Sequence, residues 1–168
     1  MKYQLGVFGS GHDYPRLVDV AYLAGKTIAE RGHVLITGGL DGVMKHACKG
    51  AKEHGGLAIG ILPGKDFVDG NEYLDVKILT NMQEGRNYLT GLSSHGCLII
   101  GGSEGTLIEA KVVYDGRGPV VAIEGTGGTA DYLLKNGFPS IKPKTHQIYR
   151  AKRADEAVDL LLKLLEKA

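Results

Sequence analysis

The sequence contains no tryptophan, only two cysteines and almost no net charge. Its 20 Lys and Arg residues nearly balance 19 Asp and Glu residues, which leaves a formal net charge of +1. Without a basic excess, or tryptophans on which bases stack, we expect no nucleic acid partner. Cys48 and Cys97 form no CxxC motif, which excludes a zinc ribbon and a disulfide scaffold. Because so few cysteines are typical of a reducing compartment, we expect a cytoplasmic protein.

Long apolar runs are absent as well. No stretch approaches the roughly 18 apolar residues of a membrane span, and the apolar run at 3–8 is too short for a signal peptide. We therefore expect no membrane partner. The 168 residues, 43% hydrophobic and 23% charged, favour one globular domain over residues 1–168.

Glycine is the residue in excess, with 26 copies, about twice its usual frequency. Clusters at 9–11, 38–39 and 101–105 each follow a short apolar run. Glycine at the carboxyl end of a parallel strand lets backbone N–H groups approach an anion beside a helix N-terminus. The clusters therefore predict a small phosphorylated ligand, and the alternative is that glycine only makes tight turns.

Short apolar runs alternate along the chain with longer segments of helical periodicity. Strands are predicted at 3–8, 33–37, 57–61, 76–79, 97–100, 120–123 and around 147–150. Helices are predicted at 16–31, 43–54, 85–94, 106–114, 131–136 and 154–167. This alternation predicts an α/β fold, a three-layer sandwich with a mostly parallel sheet. The polar segment 65–75 is predicted to be a solvated surface excursion or a lid.

The glycine motifs match no common nucleotide signature in full. The turn GSGHDY at 9–14 lacks the third glycine of GxGxxG, and no GxxxxGK[ST] is present. The segment GGSEG at 101–105 matches the GxSxG nucleophile elbow, with Asp131 and His146 following in triad order. A serine hydrolase that uses Ser103 is therefore a remote alternative. A monophosphate held by backbone amides and hydroxyls fits better.

Several motifs in order along residues 7–123 resemble the Lonely Guy family. The segment VFGS at 7–10 is similar to the family's first strand and Gly-Ser turn, and TGGLDGVM at 37–44 is similar to its Gly-Gly segment. The segment MQEGRN at 82–87 resembles the part that supplies the family arginine. The segment GSEGTLIE at 102–109 resembles the end of the signature PGGxGTxxE. The resemblance implies a Rossmann-like fold.

The resemblance also implies an activity, the hydrolysis of the N-glycosidic bond of nucleoside 5′-monophosphates to free base and ribose 5-phosphate. It implies no lysine decarboxylase activity, no metal and no required cofactor, and a homodimer or higher homo-oligomer. Arg86 and Glu109 are the implied catalytic residues. A carboxylate can stabilise an oxocarbenium-like transition state, and a guanidinium can hold a phosphate. The implied phosphate- and nucleotide-binding residues are Gly9, Ser10, Gly38, Gly39, Asp41, Met44, Asn87, Gly102, Ser103, Gly105 and Thr106.

Departures from the signature favour an alternative function. Gly101 replaces the signature proline, Ser103 replaces its second glycine, and Asn87 stands where active members usually carry lysine. The Arg-Asn form resembles a branch of short proteins that includes a molybdenum cofactor carrier. The alternative is therefore a carrier or sensor of a phosphorylated ligand, such as molybdenum cofactor or a nucleotide. Glu109 has a structural alternative too, because Thr106-x-x-Glu109 matches a helix capping box.

Overall fold

The computed structural model describes residues 1–139 and 147–167. Seven strands occur in these ranges: β1 Gln4–Gly9, β2 Val34–Thr37, β3 Leu57–Leu62, β4 Val76–Leu79, β5 Gly96–Ile100, β6 Val120–Ile123 and β7 Tyr149–Ala151. The six α-helices there are α1 Pro15–Glu30, α2 Val43–Glu53, α3 Arg86–Leu92, α4 Glu104–Asp115, α5 Gly128–Asn136 and α6 Ala154–Leu165. In the part of the chain so described, no helix combines the length and apolarity that crossing a membrane requires.

The strands form one sheet in the order β4-β3-β2-β1-β5-β6-β7, and every pair is parallel. The chain proceeds outward from β1 to β4 and then returns to place β5 on the other side of β1. The strand order therefore reverses between β1 and β5. In such sheets the crevice outside the carboxyl ends of the strands at the reversal is the usual ligand site.

Helices cover both faces of the sheet and create two hydrophobic cores. Helices α1, α2 and α6 enclose one core, and α4 and α5 enclose the other. The side chains of β5 alternate between them, since Leu98 and Ile100 enter the first and Cys97 and Ile99 the second. A strand buried on both faces must be apolar throughout, which explains the continuous CLII run.

The predicted α/β sandwich is confirmed, and the sheet is parallel throughout the described ranges. Strand boundaries agree with the prediction within two residues. Helix α5 begins at Gly128, earlier than predicted, because the Asp131 carboxylate accepts the N–H groups of Gly125 and Gly127 at 2.8 and 2.9 Å. These bonds fold the glycine segment onto the first helical turn.

The prediction of a solvated excursion over 65–75 was wrong for its second half. Asn71 and Leu74 are buried there, with exposures of 6% and 8%. The Asp75 carboxylate accepts the Ala58 N–H at 2.9 Å and pairs with Lys52. Residues 65–69, Glu72 and Asp75 are exposed, so the second half of the segment alternates between exposed and buried positions. The error arose because polar residues that bond to the backbone of the fold look the same in sequence as solvated ones.

Candidate functional site

Two cavities open at the carboxyl ends of the strands, and Ser103 lines both of them. The first, the Arg86 cavity, has a volume of about 410 Å³, and the second, the Arg16 cavity, about 520 Å³. Both lie within the size range of small-molecule sites. The Arg86 cavity is lined by Gly9, Leu40, Met44, Pro63, Gln83, Glu84, Arg86, Asn87, Ser103, Glu104, Gly105, Thr106, Ile108 and Glu109.

A buried ion pair forms one wall of the Arg86 cavity. Arg86 is the first residue of α3, and its Nη1 donates to Glu109 Oε1 of α4 at 3.3 Å. The exposures of Arg86 and Glu109 are 8% and 5%. Nη1 also donates to Asn87 Oδ1. The Nε of Arg86 is the one buried side-chain polar atom of the described residues that lacks a hydrogen-bond partner.

Burial changes the charge balance of this pair. It raises the pKa of Glu109 from its ordinary value of 4.5 to about 8, although the nearby charge of Arg86 acts in the opposite direction. Burial also lowers the pKa of Arg86, but a guanidinium remains charged in proteins. At neutral pH a protonated Glu109 does not neutralise Arg86. The pair itself therefore carries a net positive charge beside the cavity, and Glu84, which also lines the cavity, offsets part of that charge. A guanidinium that is only partly offset favours an anionic ligand.

The segment after β2 leaves space for the Arg86 side chain. A Cβ atom on Gly38 would lie 2.7 Å from Arg86 Nη2 and 2.9 Å from Met44 Sδ, so a side chain here would displace the guanidinium or the methionine. Asn71 holds the same segment in place. Its Nδ2 donates to the carbonyls of Gly39 and Leu40 at 3.1 and 3.0 Å. The sequence contained no signal for this role of Asn71.

The loop after β5 carries the beginning of α4 to the cavity. Gly102 has a φ of +95°, and a Cβ atom there would lie 2.5 Å from Thr106 Oγ1. The hydroxyl of Thr106 donates to the Gly9 carbonyl at 3.3 Å and thereby joins the loops after β1 and β5. Glu104, Gly105 and Thr106 form the first turn of α4 and line the cavity. The first N–H groups of a helix lack intrahelical acceptors and attract anions.

The structure thus brings most predicted site residues to these two cavities. Gly9, Met44, Arg86, Asn87, Ser103, Gly105, Thr106 and Glu109 line the first cavity, and Ser10, Gly102 and Ser103 line the second. Gly38 and Gly39 line neither cavity; Gly38 lies against the lining residues Arg86 and Met44, and Gly39 lies against Leu62 and Leu74. Asp41 is exposed and lines neither cavity.

Two alternatives, the capping box and the serine hydrolase, concern residues around α4. The capping-box prediction was wrong, because the helix N-cap is Ser103 and Thr106 lies inside the helix. Of the residues proposed for a serine hydrolase, Asp131 instead binds the N–H groups of Gly125 and Gly127, and His146 lies outside the described residues. No cluster of three His, Cys, Asp or Glu side chains in the described ranges could hold a metal ion.

Comparisons with known proteins identify relatives over nearly the whole chain. An uncharacterized protein of Archaeoglobus fulgidus is 41% identical over 128 residues, 73% of this chain and 84% of that protein. The X-ray structure of TM1055 is 30% identical with a TM-score of 0.88, covering 97% of this chain and 99% of that one. The molybdenum cofactor binding protein of Rippkaea orientalis is 31% identical with a TM-score of 0.85, covering 98% of each chain.

A more distant likeness concerns the fold alone. DNA processing protein A of Helicobacter pylori, a protein that binds single-stranded DNA, is 16% identical with a TM-score of 0.72. The likeness covers 96% of this chain and 80% of that one. Residues 2–158 match the SLOG cluster4 family. Together with the first three relatives, this match confirms the resemblance to Lonely Guy proteins and molybdenum cofactor carriers. The chain belongs to the SLOG cluster4 family.

Proposed function

We propose that this protein binds and carries a phosphorylated small molecule of the molybdenum cofactor type in the Arg86 cavity. The observation that carries this proposal is the incomplete pairing of the buried Arg86 guanidinium, whose Nε has no hydrogen-bond partner in the described residues. A buried guanidinium lacking its full set of acceptors is stabilised by a phosphate, which accepts two N–H groups in parallel. The similarity to the molybdenum cofactor binding protein of Rippkaea orientalis supports the same ligand class.

The protonation state of Glu109 favours carriage over hydrolysis. A phosphoribohydrolase needs a carboxylate whose negative charge stabilises the developing ribosyl cation. Burial raises the pKa of Glu109 to about 8, so near pH 7 the side chain is mostly a neutral acid. A neutral acid donates one hydrogen bond, which suits the holding of a ligand oxygen. Asn87, where active members usually carry lysine, adds an amide rather than a second cation.

The phosphoribohydrolase activity is the second candidate function. It is supported by the position of Arg86 and Glu109 on the wall of one cavity, 3.3 Å apart. Ionisation of Glu109 above its raised pKa would restore the charge that the reaction needs. This candidate therefore predicts turnover that increases from pH 7 to pH 9, with release of free base and ribose 5-phosphate.

One experiment separates the two candidates. The protein is incubated under anoxic conditions with molybdenum cofactor released from a molybdoenzyme, and the pterin that co-elutes in gel filtration is quantified. In parallel, AMP, GMP, CMP, UMP and IMP are tested for turnover at pH 7 and pH 9. We expect about one cofactor per chain and no turnover. Turnover that Glu109→Gln abolishes, with no cofactor retained, would instead establish the hydrolase.

We also propose that two copies associate through the outer face of α3 and α4. Tyr88, Leu92 and Ile108 expose 56%, 63% and 46% of their surfaces there. Ile108 also lines the Arg86 cavity, so a second copy on this face would help to close the site. In analytical ultracentrifugation we expect a dimer that Leu92→Glu converts to a monomer, because a buried unpaired carboxylate is costly. A monomeric wild-type protein would contradict this arrangement.

The remaining expectations on partners and location stay proposals. The net charge of +1 offers no driving force for binding to nucleic acid. Both cysteines are buried free thiols, which suits a reducing compartment. We propose a cytoplasmic protein whose partner is the small phosphorylated ligand, with no resident metal and no required cofactor of its own.

A further inference from the structure

The Arg16 cavity is the larger of the two and differs from the Arg86 cavity in charge. Glu84, Glu104 and Glu109 line the Arg86 cavity. None of the described residues that line the Arg16 cavity is acidic, and Arg16 is the cation among them. Since the two cavities adjoin at Ser103, one ligand can occupy both. A phosphoryl group in the Arg86 cavity meets Arg86 together with Glu84 and Glu104, whereas one in the Arg16 cavity meets no acidic residue of the described lining.

Arg16 itself is a cation without a counter-charge. It is exposed, and it forms no hydrogen bond or ion pair with any residue in the described ranges. It is the second residue of α1, where a positive charge opposes the helix dipole. Its Nη2 lies 2.9 Å from the point that a Cβ atom on Gly127 would occupy. An anion bound at Arg16 would offset both the missing counter-charge and the dipole.

Several backbone donors near this cavity are already used. The N–H groups of Thr129 and Ala130, in the first turn of α5, donate to the carbonyls of Gly102 and Gly101 at 3.0 and 3.1 Å. The N–H groups of Gly125 and Gly127 donate to Asp131. These four N–H groups around the start of α5 are therefore not available to an anion. The guanidinium of Arg16 is the principal charged donor left in this cavity.

Ser103 connects the two cavities. It is the N-cap of α4, yet its side chain makes no capping hydrogen bond. Its hydroxyl is exposed at the boundary that both cavities share. A free hydroxyl in this position can donate to, or accept from, a group that links two parts of a ligand.

From the unpaired Arg16, the absence of acidic residues among the described lining and the shared Ser103, we propose that the Arg16 cavity binds a second phosphoryl group of the ligand. The preferred ligand class is then a pyrophosphate-linked nucleotide compound rather than a monophosphate. Its heterocyclic half lies in the Arg86 cavity and its second phosphate contacts Arg16. This inference rests on the proposed function, because it extends the ligand bound there.

The test compares ligands that share a base and differ in the second phosphate and the group attached to it. Four pairs are titrated calorimetrically at low salt: AMP with ADP-ribose, GMP with GDP-mannose, CMP with CDP-choline, and UMP with UDP-glucose. We expect at least one pyrophosphate compound to bind tenfold or more tightly than its monophosphate, as one charge-assisted hydrogen bond predicts. Arg16→Gln should remove this advantage and leave the monophosphate affinity within twofold.

The matched control is Arg117→Gln, because Arg117 is also exposed but lies between α4 and β6, at the amino ends of the strands and away from both cavities. It should change neither affinity. Equal affinity within every pair, or an advantage that persists in Arg16→Gln, would overturn the inference. Retention of molybdenum cofactor with no binding of any pair would overturn it and leave the proposed function intact. Failure of every probe, molybdenum cofactor included, would overturn both.

Discussion

Replacing Glu109 with glutamine should change how the stability of the protein depends on pH. Glutamine keeps the size of the side chain and an oxygen acceptor for Arg86 Nη1, but it cannot ionise. In the wild type, burial raises the pKa of Glu109 from 4.5 to about 8. Between these values the folded protein holds a proton that the unfolded chain has released. The wild type therefore loses stability as the pH rises, and Glu109→Gln lacks this loss.

The magnitude follows from the linkage between proton binding and folding. Within this window each pH unit lowers the wild-type free energy of unfolding by at most about 1.4 kcal/mol. From pH 5 to pH 8 the wild type should lose about 3 kcal/mol relative to the variant, since the window from 4.5 to about 8 covers nearly the whole interval. Titrations of other groups occur in both proteins and cancel in the difference.

The assay is urea unfolding of the wild type and Glu109→Gln at pH 5, 6, 7 and 8. Glu104→Gln is the matched control, because Glu104 is an exposed glutamate of the same helix. The control should follow the wild type at every pH. Parallel curves for the wild type and Glu109→Gln would mean that Glu109 is ionised at neutral pH. Arg86 would then be neutralised by its partner, contrary to the proposed basis of ligand binding.

Two further substitutions test the support of the site. Gly38→Ala places a Cβ atom 2.7 Å from Arg86 Nη2, so we expect cofactor retention to fall at least tenfold. The control is Gly85→Ala, whose Cβ would have no neighbour nearer than 3.7 Å, and it should leave cofactor retention unchanged. An equal loss of retention in the two variants would contradict the steric explanation. Asn71→Ala removes the donor to two carbonyls and should lower the free energy of unfolding by about 2 kcal/mol. In urea unfolding, a change under about 0.5 kcal/mol would show that water replaces these bonds.

The fold could be predicted from the sequence because its signals are local. The continuous apolar run in β5 and the glycine that follows it indicate a buried parallel strand without any knowledge of its neighbours. The strand order could not be predicted, because it depends on contacts between distant segments. The packing of helices depends on distant segments in the same way. Helix α1 lies so close to α2 that a Cβ atom on Gly25 would lie 1.8 Å from the Ala47 carbonyl oxygen.

The candidate site was only partly predictable for the same reason. Arg86 and Glu109 were identified by motif. Their contact could not be predicted, because the two residues lie on different helices and are 23 positions apart in the chain. The raised pKa of Glu109 is caused by burial, which no spacing in the sequence reveals. Asn71 was missed because its hydrogen bonds to the Gly39 and Leu40 carbonyls form only when 65–75 folds against the segment after β2. Likewise, the lack of a counter-charge for Arg16 among the described residues could be recognised only from the structure around it.

The measurement that tests the central claim most directly is the crystal structure of the protein with bound molybdenum cofactor. We expect the phosphate within hydrogen-bonding distance of the Arg86 guanidinium, in the cavity that Thr106 and Glu109 also line. A cofactor bound elsewhere on the molecule, with Arg86 still paired only to Glu109 and Asn87, would contradict the claim.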